Sequence, residues 1–291
     1  MSNRTRSLNR MRILTTGLAF GESPRWRDDR LWFVDFGARE IGALDRDGKR
    51  ELVVRMQDMP MGIDFLPDGR LLIVSVYEGK LLSRETDGSL TPYADLATVS
   101  SKPWGDMVVD GRGNTYIGNL GFDFPGGEFA PGAVGLVTAD GRVRQVAEGL
   151  AFPNGMAVTP DSRTLIVAES YGERLTAFDI AADGSLSNQR VWAATPGDHP
   201  DGISLDAEDS VWYADVGTMR CVRVREGGEV LRTVELDRGC FACMLGGAGR
   251  KTLFIMAAEF PPASWGTEAP RTGQILALDV DVAGAGWPRA E

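Results

Sequence analysis

A strand-like phrase of six residues occurs six times along this chain, and that repetition limits the possible folds more than any other feature. The copies are rich in leucine, β-branched and aromatic residues, and they begin at Arg30, Arg70, Asn114, Arg163, Ser210 and Lys251. Their second residues stand at positions 31, 71, 115, 164, 211 and 252, which are 40 to 49 residues apart. Short strands with a repeat of about 40–50 residues are typical of a β-propeller with one blade per repeat.

The residues around each phrase predict a meander of about four strands per blade. Turn signals such as Pro67-Asp68-Gly69 precede the phrases, and alternating runs such as residues 175–179 follow them. We find no convincing amphipathic helix. We therefore expect an all-β, six-bladed β-propeller, because the alternatives, a sandwich or a pair of barrels, would not explain the sixfold repeat.

The two ends of the chain are expected to close the ring of blades. Residues 274–280 would supply one strand of the closing blade, and the run near Ile13 and Leu14 would supply another. Six such units account for nearly the whole chain. We therefore predict a single propeller domain over residues 13–291, preceded by a flexible N-terminal tail over residues 1–12.

Composition limits the partners and the compartment. The chain of 291 residues has a formal net charge of −10, which argues against nucleic acid because phosphate binding needs clustered Lys and Arg. The apolar runs are of strand length, so we expect no membrane span, and residues 13–20 do not form a signal-peptide core. We expect a cytoplasmic protein, a monomer or weak homo-oligomer, that acts on a small molecule.

The counts of cysteine and histidine exclude several kinds of site. The three cysteines include the pair Cys240 and Cys243, but the sequence offers no second Cys or His pair to complete a zinc site, which favours simple packing. The single histidine, His199, excludes a multi-histidine metal cage. We also find no nucleophile elbow, Walker loop or dinucleotide fingerprint. Any catalysis must therefore use carboxylates, amides and a bound cation.

Three polar residues lie at equivalent positions of different repeats. Asn154 and Asp201 stand ten residues before the second residue of their phrases, and Glu22 stands nine before. Equivalent positions of a propeller lie at equal height around the channel, so the three side chains are expected to converge near the axis. Their oxygens suit Ca²⁺, Mg²⁺ or Mn²⁺. The alternative is that Asn154-Gly155 and Asp201-Gly202 form ordinary turns and that Glu22 is solvated.

The sequence resembles the gluconolactonase / senescence-marker-protein (regucalcin-like) family along its whole length. The phrases that carry the likeness are residues 21–26, 153–157 and 200–203. The resemblance implies a six-bladed propeller that holds one divalent cation in its channel through Glu22, Asn154 and Asp201. Ca²⁺ is the expected ion, with Mg²⁺, Mn²⁺, Zn²⁺ or Fe²⁺ as alternatives. It further implies a lactonase, or in some relatives an organophosphate hydrolase.

The expected reaction is metal-dependent hydrolysis of a lactone, a carboxylic ester hydrolase activity. The resemblance implies that Asp201 is both a metal ligand and the general base, while the cation polarises the carbonyl. Direct attack by Asp201 remains open. The alternatives are phosphotriester hydrolysis or a non-hydrolytic biosynthetic reaction at the same site, or a non-enzymatic binding scaffold.

Two departures from the family pattern bear on the substrate. Sugar-lactone members carry an Arg-x-Asn-Asp phrase where this chain has Pro103-Trp104-Gly105-Asp106, and Phe122 stands where a lid Glu is common. These changes predict a substrate less polar than a sugar lactone. We expect substrate contacts from Trp104, Gly105, Phe122, Tyr171 and His199. The aromatic loop over residues 121–129 is interpreted either as a lid or as a plain surface connection.

Overall fold

Six four-stranded antiparallel sheets follow one another in the computed structural model, which describes residues 11–45, 48–260 and 270–287. The predicted six-bladed all-β propeller is confirmed. Its strands are, in chain order, β1 (Arg12–Leu18), β2 (Gly21–Arg27), β3 (Arg30–Asp35), β4 (Glu40–Leu44), β5 (Arg50–Arg55), β6 (Pro60–Phe65), β7 (Leu71–Ser75), β8 (Lys80–Arg84), β9 (Leu90–Asp95), β10 (Trp104–Val109), β11 (Thr115–Asn119) and β12 (Gly132–Val137). The second half of the chain continues with β13 (Val143–Leu150), β14 (Pro153–Val158), β15 (Thr164–Glu169), β16 (Arg174–Ile180), β17 (Leu186–Ala194), β18 (Pro200–Leu205), β19 (Val211–Asp215), β20 (Arg220–Val224), β21 (Val230–Glu235), β22 (Gly239–Gly246), β23 (Thr252–Ala258) and β24 (Gly273–Asp279).

Blades 1 to 5 are consecutive meanders that begin with β2, β6, β10, β14 and β18, and blade 6 contains β22, β23, β24 and β1. The repeated phrase forms the second strand of each blade. These strands are almost wholly buried, as in β7 and β19, because both of their faces pack against apolar side chains of neighbouring blades. Within the described ranges, three short 3-10 turns also occur, at Leu96–Thr98, Ser170–Gly172 and Ala248–Arg250.

The first and last strands share a sheet, which confirms the predicted closing blade. Strand β1 pairs antiparallel with β24, with Ile13 opposite Leu276 and Thr16 opposite Gln274. Arg12 already belongs to β1, so the predicted flexible tail does not extend to that residue, and residues 1–10 lie outside the described ranges. The assignment of residues 13–291 to a single domain stays a prediction.

The inner strands approach one another very closely around the axis. A Cβ atom at Gly155 in β14 would lie 2.5 Å from the carbonyl oxygen of Asp201 in β18. A Cβ atom at Gly202 would likewise lie 2.5 Å from the Cβ of Ala242 in β22. Both glycines are strand residues whose missing side chains allow backbone contact between blades. The alternative that they form turns is therefore not supported.

The cysteines lie inside the molecule, between blades 5 and 6. Cys221, Cys240 and Cys243 are free and buried, and the Cys243 thiol lies 3.4 Å from the carbonyl oxygen of Trp212. This placement agrees with a packing role. The described ranges contain no helix with the length and apolarity needed to cross a bilayer.

Candidate metal centre

Glu22, Asn154 and Asp201 are each the second residue of an inner strand. The ladders of β2, β14 and β18 begin with Gly21 opposite Asp35, Pro153 opposite Glu169, and Pro200 opposite Asp215. The three side chains therefore start at equal height around the channel. Glu22 is one residue out of step in the sequence because a tight two-residue turn, at Asp28 and Asp29 with positive φ at both, joins β2 to β3.

Asp201 is buried and Glu22 is half-buried, and their two carboxylates repel each other. Burial, followed by the negative charge of Asp106, raises the pKa of Glu22 to about 8. Burial, followed by the charges of Glu22 and Asp106, raises the pKa of Asp201 well above its usual range. Both effects favour the neutral acids and would be reversed by a cation between them.

The amide of Asn154 is oriented by a hydrogen-bond chain. Its Nδ2 donates to the Ser170 hydroxyl at 3.2 Å, and that hydroxyl donates to the carbonyl oxygen of Pro200 at 2.8 Å. This assignment leaves Oδ1 as the available acceptor of the amide. Because Pro200 precedes Asp201, the same chain couples two of the three polar residues.

The residues present fit a hard divalent cation. Among the described residues, Oδ1 of Asp201 is a buried oxygen with no hydrogen-bond partner, although buried acceptors are normally satisfied. Within the same ranges, no three side chains of the His, Cys, Asp and Glu types form a group able to hold a metal ion. A cation site here therefore depends on the Asn154 amide together with Glu22 and Asp201, and oxygen donors of this kind suit Ca²⁺ or Mg²⁺.

Asp106 is a further charged residue at this site, and the sequence analysis did not predict it. Its Oδ1 accepts a hydrogen bond from the Ser23 hydroxyl at 2.7 Å and lies 3.3 Å from Nη2 of Arg25. The buried Arg25 also faces Asp64 at 3.6 Å, and burial raises the pKa of Asp64 to about 6. The available signal was its position beside Gly105, one residue beyond the equivalent of Asp201.

A second set of missed residues holds the loops that lead into the inner strands. Asp35, Glu169 and Asp215 are fully buried at the ends of β3, β15 and β19. They accept backbone N–H groups of Phe20 at 2.9 Å, Ala151 at 2.6 Å and His199 at 3.2 Å, respectively. The signal in the sequence was the polar residue that ends these strands.

Comparison with known proteins gives the family that the sequence phrases resemble. A family model described as SMP-30/Gluconolactonase/LRE-like region matches residues 20–259. The chain belongs to this family.

Members and neighbours cover different shares of the chain. The chain is 30% identical to diisopropyl-fluorophosphatase of Loligo vulgaris over 207 residues, which are 62% of this chain and 64% of that protein. It is 25% identical to regucalcin of Xenopus laevis over 91% of this chain and 92% of that protein. The solved structure of a calcium-binding protein, regucalcin from Agrobacterium tumefaciens, superposes with a TM-score of 0.81 at 22% identity and covers 97% of this chain and 98% of that chain.

The residues predicted to contact substrate do not all form one group. Phe122 and Tyr171 lie in one aromatic cluster, with ring centroids 6.3 Å apart. His199 is exposed, and its Nδ1 donates to the carbonyl oxygen of Ser170 at 3.0 Å, because a carbonyl can only accept. His199 therefore shares Ser170 with Asn154.

Trp104 and Gly105 lie on the third inner strand. Trp104 is 1% exposed, and its Nε1 donates to the carbonyl oxygen of Ser100, so its position favours packing and its substrate role stays a prediction. At Gly105, which differs from the expected family amide, an added Cβ would meet no atom closer than 3.8 Å. The strand thus leaves room for a Cβ atom at residue 105.

A large cavity lies at the other end of the inner strands. It has a volume of about 1030 Å³ and is lined by residues such as Arg27, Val109 and Leu205, where the strands end. It does not include Glu22, Asn154 or Asp201. We place the candidate site at the strand beginnings, because the convergent oxygen donors and the unsatisfied carboxylate are there.

Proposed function

We propose that this protein is a metal-dependent hydrolase that opens a lactone less polar than a sugar lactone. The observation that carries the proposal is the buried Oδ1 of Asp201, which has no hydrogen-bond partner among the described residues and lies in the electrostatic range of Glu22. Such a pair is unfavourable without a cation, and membership of the SMP-30/Gluconolactonase/LRE-like family supports the hydrolytic reading.

Glu22, Asn154 and Asp201 would hold the ion. The chemistry supplied by a bound cation is polarisation of the lactone carbonyl and stabilisation of negative charge on its oxygen. Ca²⁺ is the proposed ion because all three donors are hard oxygens, and the description of a structural neighbour as calcium-binding is consistent with this choice.

Asp201 would act as the general base. Its carboxylate takes a proton from the attacking water as the bond between the water oxygen and the carbonyl carbon forms. It then returns the proton to the ring oxygen as the bond between that oxygen and the carbonyl carbon breaks. Burial raises the pKa of Asp201 in the absence of a cation, and a bound cation would lower it again, so activation of the water by the cation would share this task.

The proposed preference for a less polar substrate rests on the third inner strand and its loop. Gly105 offers no side chain, and Phe122 is an apolar ring where the family pattern has a lid Glu. Hydroxyl groups of a sugar lactone would therefore find fewer hydrogen-bond partners here.

The test is turnover of a panel of lactones by protein freed of metal with a chelator, with Ca²⁺, Mg²⁺, Mn²⁺, Zn²⁺ or Fe²⁺ restored one at a time. We expect metal-restored hydrolysis that is faster for aliphatic or aromatic lactones than for aldonolactones. The Asp201→Asn variant should lose activity about 10²–10⁴-fold, whereas the exposed turn variant Asp87→Asn should keep it. Equal turnover with and without metal would refute the proposal.

Phosphotriester hydrolysis is a second candidate. It is favoured by the 30% identity to diisopropyl-fluorophosphatase, although the alignment covers 64% of that relative. Fluoride release from diisopropyl fluorophosphate, measured with the same metal series, tests it. Fluoride release that requires the metal and Asp201, without lactone opening, would replace the first candidate by the second.

A further inference from the structure

Five aromatic rings form one cluster on the side of blades 3 and 4. The aromatic cluster comprises Phe122, Phe124, Phe129, Phe152 and Tyr171, with seven ring pairs between 4.7 and 6.3 Å. Phe122 is buried at its centre and contacts the other four rings. The loop over residues 121–129, which supplies three of the rings, and blade 4, which supplies Phe152 and Tyr171, thus share one apolar core.

The cluster is attached to the candidate metal centre by short, fixed links. Phe152 lies two residues before Asn154, and Tyr171 directly follows Ser170, whose hydroxyl accepts from the Asn154 amide. The N–H of Ser170 donates to the carbonyl oxygen of Phe152 at 3.1 Å, and the N–H of Tyr171 donates to that of Ala151 at 3.1 Å. The rings therefore stand at the same end of the channel as the metal ligands.

Part of this aromatic surface faces solvent. Phe129 is 48% exposed and Tyr171 is 51% exposed, and their ring centroids are 5.8 Å apart at an interplanar angle of 48°. The two half-exposed rings therefore contact each other and together present an aromatic surface to solvent. Leaving such a surface in water is unfavourable, so a ligand that covers it gains binding free energy.

Among the described residues, the other side of the metal centre presents one half-exposed ring, Phe260, rather than a pair. Phe20 occupies the position of Phe152 in blade 1, and its ring packs on Phe36 and Phe241 at 5.0 and 5.3 Å. All three of these rings are buried. Phe260 packs on Phe241 with ring centroids 6.1 Å apart and directly precedes residues outside the described ranges.

We propose that the aromatic cluster is the subsite for an aromatic substituent of the substrate, which packs its ring against the exposed faces of Phe129 and Tyr171. Aromatic rings gain from edge-to-face and offset contacts beyond the area that they bury, whereas a saturated ring of similar size does not. The inference rests on the proposed function in taking the reacting group to be a lactone. The expected substrate class is therefore aryl-substituted lactones.

The test measures binding, so that it stands apart from the reaction. Ligand-detected NMR on the metal-free full-length protein would compare γ-phenyl-γ-butyrolactam, its γ-cyclohexyl analogue and the unsubstituted lactam, none of which is a lactone. We expect the phenyl ligand to bind about three- to tenfold more tightly than the cyclohexyl ligand. Equal binding of the phenyl and cyclohexyl ligands would overturn the proposal.

Substitutions assign the effect to the two exposed rings. Phe129→Leu and Tyr171→Leu keep apolar bulk and should remove the phenyl preference. Tyr77→Leu is the matched control, because Tyr77 is 71% exposed and lies outside the cluster, and it should keep the preference. Loss of the phenyl preference in all three variants would contradict the proposal. The proposal would also be contradicted if the protein does not bind the phenyl ligand but forms a dimer that Tyr171→Leu abolishes, because the exposed rings would then serve contact between two copies of the chain.

The two proposals can fail separately. Phenyl preference without turnover of any lactone would support the subsite and reject the lactonase. Metal-dependent lactone turnover with no discrimination between phenyl and cyclohexyl ligands would support the lactonase and reject the subsite.

Discussion

At the scale of single residues, the site depends on where charge is buried. Glu22 and Asp201 are carboxyl groups whose pKa values are raised, first by burial and then by neighbouring negative charge. A cation would compensate for this charge, and a proton does so in the metal-free protein. Metal ions and protons should therefore compete for the same oxygens.

This competition predicts a pH-dependent metal affinity. Glu22, with its pKa raised to about 8, is mostly protonated at pH 7 without metal, and its proton must leave when a cation binds. Below pH 8 the apparent affinity for Ca²⁺ should fall about tenfold per pH unit for each proton released. Calorimetric titrations at several pH values, in buffers of different ionisation enthalpy, would measure both quantities. Affinity independent of pH between 6 and 8 would contradict the expectation.

The same pKa shift predicts how the metal-free protein responds to pH. A raised pKa means that the folded state holds a proton that the unfolded chain has already lost between about 4.5 and 8. The contribution of Glu22 to stability is therefore fully present below this window and is lost as the pH rises through it. Denaturant titrations of the metal-free protein at several pH values should show a free energy of unfolding that falls as the pH rises from about 4.5 to 8. The Glu22→Gln variant should lack this part of the pH dependence.

Gly105 allows a gain-of-function test. A Cβ atom at residue 105 would make only ordinary van der Waals contacts, so Gly105→Asn is expected to tighten Ca²⁺ binding by about tenfold through an added oxygen donor. Gly105→Ala is the matched control and should leave the affinity unchanged. Calcium titration of both variants gives the comparison, and equal affinities of the two would show that residue 105 does not face the ion.

At the scale of elements, the inner strands place the ligands through backbone contact. Gly155 touches the backbone of Asp201, and this close approach fixes the distance between the second residues of β14 and β18. The sequence could predict which residues share this register, because the strand phrases repeat. It could not predict that their glycines serve contact between blades, since that depends on the distance between neighbouring sheets.

A side chain at residue 155 should therefore disturb both folding and the site. Its Cβ would lie 2.5 Å from the carbonyl oxygen of Asp201, so Gly155→Ala is expected to destabilise the fold by about 1–3 kcal/mol and to weaken metal binding. Gly105→Ala, in the equivalent strand β10, meets no such contact and should cost much less. Chemical denaturation and calcium titration of both variants test this, and equal stabilities would contradict it.

Loops were the least predictable elements. The aromatic residues of 121–129 were visible in the sequence, but their packing against Phe152 and Tyr171 was not, because blade 4 supplies these partners. For the same reason Asp106 was missed: its partners Ser23 and Arg25 belong to blade 1. Contacts between residues about 80 positions apart in the sequence become apparent only when the ring is closed.

At the scale of the whole molecule, the fold was predictable because one strand pattern repeats six times and the chain ends complete the last blade. In the last blade β1 pairs with β24, so the edge of β24 that faces β1 is hydrogen-bonded and not exposed. The channel that results brings together residues from blades 1, 4 and 5, which no local segment could do.

Removing β1 should open the ring. Deletion of residues 1–18 would leave β24 with an unpaired edge, and we expect a marked loss of stability and a tendency to aggregate. Deletion of residues 1–10 is the control and should be tolerated, since the paired register begins at Arg12. Thermal unfolding and light scattering would compare the two truncations, and equal behaviour would argue against closure by β1.

The central claim is that one divalent cation, held by Glu22, Asn154 and Asp201, is required for lactone hydrolysis. The most direct measurement adds Ca²⁺ in sub-stoichiometric steps to metal-free protein and records bound ion and lactone turnover in the same samples. We predict that turnover rises with bound Ca²⁺ and saturates at about one ion per chain, and that Asp201→Asn abolishes turnover. Turnover that is present before any ion binds, or that survives in Asp201→Asn, would contradict the account.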